Sequence, residues 1–395
     1  MRVLYQLKYI KHTVNLFIIQ AEGVIMRVSI AVNGRFHAFD LARQLERFKI
    51  DYKMVSSYYT REDLNNNIKL YPFLTYGSYF FRKIGIEFFS NLYEKFQGNL
   101  FPFLAAKQIA KWDSDIAHIF AGLLYSASKE FGREKPRFVL DWGSTHYKFG
   151  EAILNEEYKL LNLKKTVPTF SFKNHPKEHE IADCIVVPSK FVYDTFIDNG
   201  VDCDKIRIVP FGVDIPKLTK KEKDDEFRVL FVGGNTFRKG LHYLIQAVSE
   251  LNLPKCKMSI VGIPTGEVMN IANKYPGNYE FLGSVSRKKL ETLYKTSSVF
   301  VLPTLEEGSA RVVYEAMAYG LPCIVSTNAG AVTRDGKDGF IIPIRDVKAI
   351  KEKILYFYEN DSERERMSRN AREYIKNFTW DVYGERMVKL YKSLL

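Results

Sequence analysis

From residue 227 onward, apolar and polar positions fall into short blocks that change period from one block to the next. "RVLFVGG" reads as a buried strand ending in two glycines. Leu241, Leu244, Ile245 and Val248 follow at i, i+3, i+4 and i+7, the spacing of an amphipathic helix. Then come strand "KMSIVG", a helical stretch, strand "YEFLG", helix "RKKLETLYKTS", strand "VFVLP", a helix within "LEEGSARVVYEAMAYG" and strand "CIVS". Short apolar strands separated by helical spacers predict parallel βαβ units and a doubly wound sheet.

The first half repeats the theme less regularly. "RVSIAV" is a strand, and Ala38, Leu41, Ala42 and Leu45 share one face of the helix after it. "IAHIF", "RFVLDW" and "CIVVPS" are further strands, each with helical sequence behind it. The charged stretch 215–226, introduced by a proline, reads as a linker. The expected architecture is α/β: an extension over 1–25, one Rossmann-like domain over 26–214, and a second over 227–378. A final helix follows over 379–395. Ligands in such sheets bind beyond the carboxyl ends of the strands, so a cleft between the domains is the expected site.

Composition narrows the class. Hydrophobic residues make up 46% and charged residues 26%, which excludes a disordered or fibrous chain. Cys184, Cys203, Cys256 and Cys323 form no CxxC pair, which argues against a disulfide framework or a structural zinc site and for a reducing, cytoplasmic setting. Residues 1–25 lack a sustained apolar run and a small-residue cleavage site, so neither a leader nor a membrane span is expected. A net charge of +12 suits an anionic partner, or simply a lysine-rich surface. Twelve aromatic residues crowd positions 70–103 around Arg82, Lys83 and Lys95. Buried, they are core. Exposed, Phe80, Phe81, Phe88 and Phe89 beside Arg82 and Lys83 would meet an anionic membrane surface.

Two motifs carry chemistry. In "FVGGNTFRKGLHYL", Gly233 and Gly234 end a strand, and Arg238 and Lys239 precede a helix opened by Gly240. Glycines admit a close ligand and the helix start offers free N–H groups beside two cations, which suits a diphosphate. A plain glycine turn with two exposed cations is the bland alternative. In "LPTLEEGSARVVYEAMAYGLP", seven residues separate Glu307 from Glu315. The small Gly308, Ser309 and Ala310 would let a ligand reach the first-turn N–H groups; Ser309 as an N-cap, Glu307 as a dipole-favouring acid and Glu315 as a solvated side chain is the other reading. Val312, Val313, Ala316, Met317 and Tyr319 make the expected buried face. Asp113-x-Asp115 has the look of a metal pair but lies at the entry to a strand, and no metal site is expected.

In this order, "VGGNTFRKG", "FLGSVSRKKLETLY", "VFVLPTLEEGSARVVYEAMAYGLPCIVS" and "NAGAVTRDGKDGFIIP" resemble the donor-binding domain of retaining family 4 glycosyltransferases, the group 1 enzymes of the two-domain GT-B fold. The resemblance extends more loosely through "RFHAFDLARQL", "ADCIVVPSKFVYDTF" and "KIRIVPFGVD". It implies a metal-independent hexosyltransferase, without a cofactor, taking a UDP-, GDP- or similar nucleotide sugar and a glycan, lipid-linked or small-molecule acceptor. By resemblance Glu315 holds the ribose, Glu307 the donor sugar, Arg238 and Lys239 the diphosphate, and backbone at Ser284-Val285 the base. His146 in "LDWGSTH" faces the sugar, Gly34 faces the diphosphate, and the last helix packs back on the first domain. Lipid-linked acceptors in the family point to peripheral attachment at the inner membrane face. Gly234 stands where the family often has arginine, and Ser309 replaces its usual aromatic. A nucleotide-sugar epimerase is a rival within the fold; a basic nucleic-acid-binding module is a rival outside it, and would need exposed aromatics among its cations.

Overall fold

The computed structural model describes residues 26–58, 67–71, 100–132, 134–164, 174–217 and 226–395. The expected extension over 1–25, most of the linker and nearly all of the aromatic 70–103 segment lie outside these residues. The chain divides into two compact units, each discontinuous in sequence.

The first unit takes the described residues up to Asp141, with Asn174–Cys184 and Met387–Leu395. Its parallel strands are β1 (Arg27–Val32), β2 (Asp51–Ser56), β3 (Ile68–Leu70), β4 (Ile116–Phe120) and β5 (Arg137–Asp141), in the order β3-β2-β1-β4-β5. Ile30 lies beside Met54 on one side and His118 on the other. The helix Ala38–Arg47 follows β1, and Ala38, Leu41, Ala42 and Leu45 are all fully buried, the face its periodicity predicts. Asp113 and Asp115, at the entry to β4, are both held by Arg27, and Asp115 also accepts from the Arg27 backbone N–H at 2.8 Å.

A buried polar chain crosses the carboxyl end of this unit's sheet. Asp141 Oδ2 lies 2.9 Å from His37 Nε2 and 3.0 Å from His118 Nε2. His118 Nδ1 lies 2.9 Å from the Tyr391 hydroxyl. Burial alone would raise the Asp141 pKa, but His37 and His118 outweigh it and hold the carboxyl well below its usual range. An ionised carboxylate only accepts, so both imidazoles donate to it.

The second unit comprises Trp142–Lys173, as far as described, and Ile185–Arg386. Here β6 (Cys184–Val187) runs parallel to β7 (Ile206–Ile208). A six-stranded parallel sheet follows the order β10-β9-β8-β11-β12-β13. Its strands are β8 (Phe227–Val232), β9 (Cys256–Val261), β10 (Tyr279–Gly283), β11 (Val299–Leu302), β12 (Cys323–Ser326) and β13 (Gly339–Ile342). Leu241, Leu244, Ile245 and Val248 bury the helix Leu241–Leu251 against it, as their spacing requires. The helix Tyr147–Leu160 belongs to this unit through Glu157, which is fully buried. Glu157 accepts from Tyr243 Oη at 2.6 Å and Arg345 Nε at 2.6 Å, and meets His242 Nε2 at 2.9 Å. Burial opposes its charge, yet these three partners keep its pKa below the usual range.

Candidate active site

The glycine turn and the acidic loop of the second unit meet at the carboxyl ends of β8 and β11. Gly233 closes β8, and a Cβ placed there would lie 2.3 Å from the Lys239 Cδ, so the absent side chain makes room for the lysine stem. Gly234 has open space around it. Gly240 has φ +67°, the left-handed region, and a Cβ on it would sit 2.0 Å from the Pro303 carbonyl oxygen. That close approach lays the turn directly against the start of the acidic loop.

The two cations converge on neighbouring acids. Arg238 donates to the Glu306 carboxylate at 2.9 Å, to its backbone carbonyl at 3.0 Å and to Glu307 at 3.2 Å. Lys239 also holds the Glu307 carboxylate. Burial works against the Arg238 charge, but Glu307 and Glu306 outweigh it and raise its pKa above the ordinary value. The cation pair is therefore matched with carboxylate.

Glu306 is the residue that sequence reasoning missed. It is 4% exposed, and its Oε1 accepts from Thr145 Oγ1 at 2.6 Å and Ser144 Oγ at 2.9 Å. Burial pushes its pKa up, while Arg238 first and then Thr145 and Ser144 pull it below the usual range. Glu306 thus ties the Gly143–His146 turn to the basic pair. The signal available was the doublet "EE" before a glycine, but its partners lie 161 and 162 positions away.

Gly308 packs on the same turn: a Cβ there would stand 2.0 Å from the Gly143 carbonyl oxygen. Its own carbonyl accepts from Ser189 Oγ at 2.7 Å. The helix Arg311–Ala318 begins after Ala310, which has no side-chain cap; Ser309 instead pairs with the Tyr314 hydroxyl at 2.9 Å. Buried on this helix are Val313, Tyr314, Ala316, Met317 and Ala318, so Tyr314 takes the inward place expected of Val312 and Tyr319, which are half-buried. His146 is only 3% exposed; its backbone N–H donates to Thr195 Oγ1 at 3.0 Å and its ring meets Phe196 edge-on.

Glu315 stands one turn into the helix and accepts from the Tyr294 hydroxyl at 3.0 Å. Both line a cavity of about 420 Å³ with Leu290, Arg311, Tyr319 and Trp380. That volume is within the range of about 300–1,000 Å³ typical of small-molecule sites. Ser284 is exposed and Val285 half-buried in the turn after β10. Gly34 belongs to the first unit, after β1, with φ +110°, and its carbonyl accepts from Ser56 Oγ at 3.2 Å. Among the described residues the one cluster with metal-ligand geometry is the exposed Asp202, Cys203 and Asp204, which contains none of these groups. No helix among the described residues is long and apolar enough to cross a membrane.

Comparison with known proteins agrees with this assembly. Residues 35–217 match the model of Glycosyltransferase Family 4, and residues 215–374 match Glycosyl transferases group 1. An uncharacterised glycosyltransferase of Methanocaldococcus jannaschii is 28% identical over 274 residues, 63% of this chain and 67% of that one. The capsular polysaccharide biosynthesis glycosyltransferase CapM of Staphylococcus aureus is 30% identical over 210 residues, 50% and 53% of the two chains. Matched regions in the first curated relatives cover from 48% to 67% of those proteins. Among solved structures, the sucrose-phosphate synthase of Thermosynechococcus elongatus superimposes with a TM-score of 0.70 at 16% identity, covering 93% of this chain and 99% of that one. Anabaena HepE in complex with UDP and glucose gives 0.68 at 14% identity, over 93% and 100%. Two parallel-sheet α/β domains, the two adjoining family models and these neighbours agree: the chain belongs to the group 1 glycosyltransferases and has their GT-B fold.

Proposed function

We propose that the protein is a retaining glycosyltransferase that moves a sugar from a nucleotide diphosphate sugar to a glycan, lipid-linked or small-molecule acceptor, with no bound metal or cofactor. The observation that carries the reading is the convergence of Arg238 and Lys239 on Glu307 beside the glycine turn. Two cations that already hold a carboxylate are suited to hold diphosphate oxygens in its place. Glu307, released by that exchange, then accepts from the hydroxyls of the sugar. The nucleoside is assigned to the cavity beside Glu315, with backbone near Ser284 and Val285 meeting the base. UDP, the ligand named for the HepE structure, has the chemistry this arrangement suits.

In the transfer, the bond from the anomeric carbon to the diphosphate oxygen breaks and its electron pair stays with the diphosphate. Arg238 and Lys239 stabilise that charge, which is the kind of term that most often dominates catalysis. The acceptor hydroxyl oxygen bonds to the anomeric carbon from the face the diphosphate leaves and its proton passes to the departing diphosphate oxygen, so the configuration is kept. His146 is the proposed sugar-facing group, its backbone fixed next to the Thr145–Glu306 bond.

The test is a thermal-shift panel of UDP, GDP and their sugars in EDTA, followed by NMR assignment of the product anomer. Stabilisation by one nucleotide in EDTA and a product with the donor's configuration are expected. Absence of any nucleotide shift, a requirement for added magnesium, or an inverted product would overturn the reading.

A further inference from the structure

We propose that Glu306 is a positioning residue that fastens one edge of the Arg238 guanidinium to the Ser144–Thr145 turn, so that a diphosphate displaces Glu307 alone and meets an arginine already aimed. The proposal rests on the donor reading above and deepens it by giving the two adjacent acids separate tasks.

The two acids share one arginine but are held differently. Glu306 Oε2 accepts from Arg238 Nη1 at 2.9 Å, and the Glu306 backbone carbonyl accepts from the same nitrogen at 3.0 Å. Its Oε1 accepts from Thr145 Oγ1 at 2.6 Å, Ser144 Oγ at 2.9 Å and the Thr145 backbone N–H at 3.4 Å. Glu307 Oε2 accepts from Arg238 Nη2 at 3.2 Å and from Lys239, and no hydroxyl or amide donor reaches Glu307 among the described residues. Neutral donors keep Glu306 in place when its arginine is shared with another anion. Glu307 depends on the two cations that a diphosphate would claim, and it is the more exposed of the two side chains.

The surroundings of Glu306 are fixed on both sides. The Leu305 N–H donates to the Arg238 carbonyl at 2.9 Å, and Asn328 Nδ2 donates to the Leu305 carbonyl at 2.8 Å. Across the pair, Trp142 Nε1 donates to the Thr145 carbonyl at 3.0 Å. A Cβ on Gly150 would stand 3.3 Å from Thr145 Oγ1 and 3.7 Å from Glu306 Cδ, so the glycine leaves room for their bond. A guanidinium is planar, and anchoring Nη1 sets the direction of Nη2, which is the nitrogen a phosphate oxygen would take from Glu307. Stability alone would be served by a neutral side chain of the same shape bonded to Thr145 and Ser144. The charge acts toward Arg238. It also repels an incoming diphosphate, so Glu306 serves aim at the expense of affinity. Misplacing a reacting group by about 1 Å costs about 10²-fold in rate.

The experiment pairs calorimetry with UDP and GDP with ¹⁵N NMR of the arginine side chains on the full chain. A guanidinium fixed along one edge gives separate Nη signals and a turning one gives an averaged signal; Arg238→Lys assigns the pair by its loss. With nucleotide bound, the unaltered protein should show separate Arg238 signals. Glu306→Gln should average them while binding the nucleotide within about twofold of the parent or more tightly, since a repelling charge is gone. Nucleotide release from the matching nucleotide sugar at saturating donor should fall by about tenfold or more. Thr145→Val, which cuts the link without touching Arg238, should move the signals and the rate the same way and serves if the glutamine variant does not fold. Thr145→Ser keeps the hydroxyl and should restore the parent's behaviour. Separate Arg238 signals in both Glu306→Gln and Thr145→Val overturn the proposal, and so do affinity and rate that fall by the same factor. Averaged signals with nucleotide still bound leave the donor reading standing, whereas an unaltered protein that binds neither nucleotide overturns that reading and this inference with it.

Discussion

Replacing Glu306 by glutamine tests the anchor that the fold builds into the site. The amide is close in shape, so it can still accept from Thr145 and Ser144, but the negative charge facing Arg238 is gone. Removing one partner of a buried ion pair costs about 3–5 kcal/mol when the other charge is stranded. Arg238 is not stranded, because Glu307 remains 3.2 Å away, so about 2 kcal/mol is the expected loss once that range is discounted. For a unit of this size each kcal/mol lowers the melting temperature by about 2–4 °C, giving a drop of about 4–8 °C. The pH dependence has a definite sign. Glu306 has a depressed pKa in the folded protein, so its stabilisation is fully present above the unfolded value of about 4.3 and is lost as pH falls through the folded value. The melting difference between the two proteins should therefore hold steady at neutral pH and shrink in acid below about pH 4. Combining Glu306→Gln with Thr145→Val should show coupling of at least about 0.5 kcal/mol, the charge-assisted part of a bond that the glutamine keeps in neutral form. A variant that melts within about 1 °C of the parent at pH 7 would refute the anchoring argument. So would a melting difference that stays constant into acid.

Lys239→Met keeps the stem that fills the space beside Gly233 while removing the charge; turnover should fall by about 10²–10³ with the protein still folded, and equal turnover would remove Lys239 from the reaction. Glu315→Ala should weaken binding of free nucleoside diphosphate, whereas Glu307→Ala should spare it and weaken the nucleotide sugar. Calorimetry with both ligands reads the difference, and small equal effects on both would return the two acids to structural roles.

Much of the fold was legible because a two-sided parallel strand leaves an unbroken apolar run. The segments "RVLFVGG", "KMSIVG", "YEFLG", "VFVLP" and "CIVS" coincide with β8 to β12, and "RVSIAV", "IAHIF", "RFVLDW" and "CIVVPS" with β1, β4, β5 and β6. Strands without such a run went unread. β3 and β7 have only three residues each, and β2 alternates exposed and buried positions at its start. In the site, local pattern located the glycine turn and the acidic loop but not the bonds between distant segments. Glu306 has no reading from the sequence, because Ser144 and Thr145 give no local sign of reaching it. Tyr294 lies within the expected helix "RKKLETLYKTS", and only the placement of the Arg311–Ala318 helix alongside shows its hydroxyl meeting Glu315. His146 was readable as a residue type at a strand end, but its packing against Phe196 was not.

The buried chain from His37 through Asp141 and His118 to Tyr391 also bears on the order of events during synthesis. Domains commonly fold as units while the chain is still emerging, the earliest first. Tyr391 sits with residues 387–395 in the first unit, and its hydroxyl is hydrogen-bonded to His118, on a central strand of that unit's sheet. Until it arrives, His118 Nδ1 lacks the Tyr391 hydroxyl as a partner, and the ring opposite it is missing from the packing. The part of the protein translated first thus completes its interior last. The second unit, whose residues are all made before Met387, has its full complement of side chains earlier.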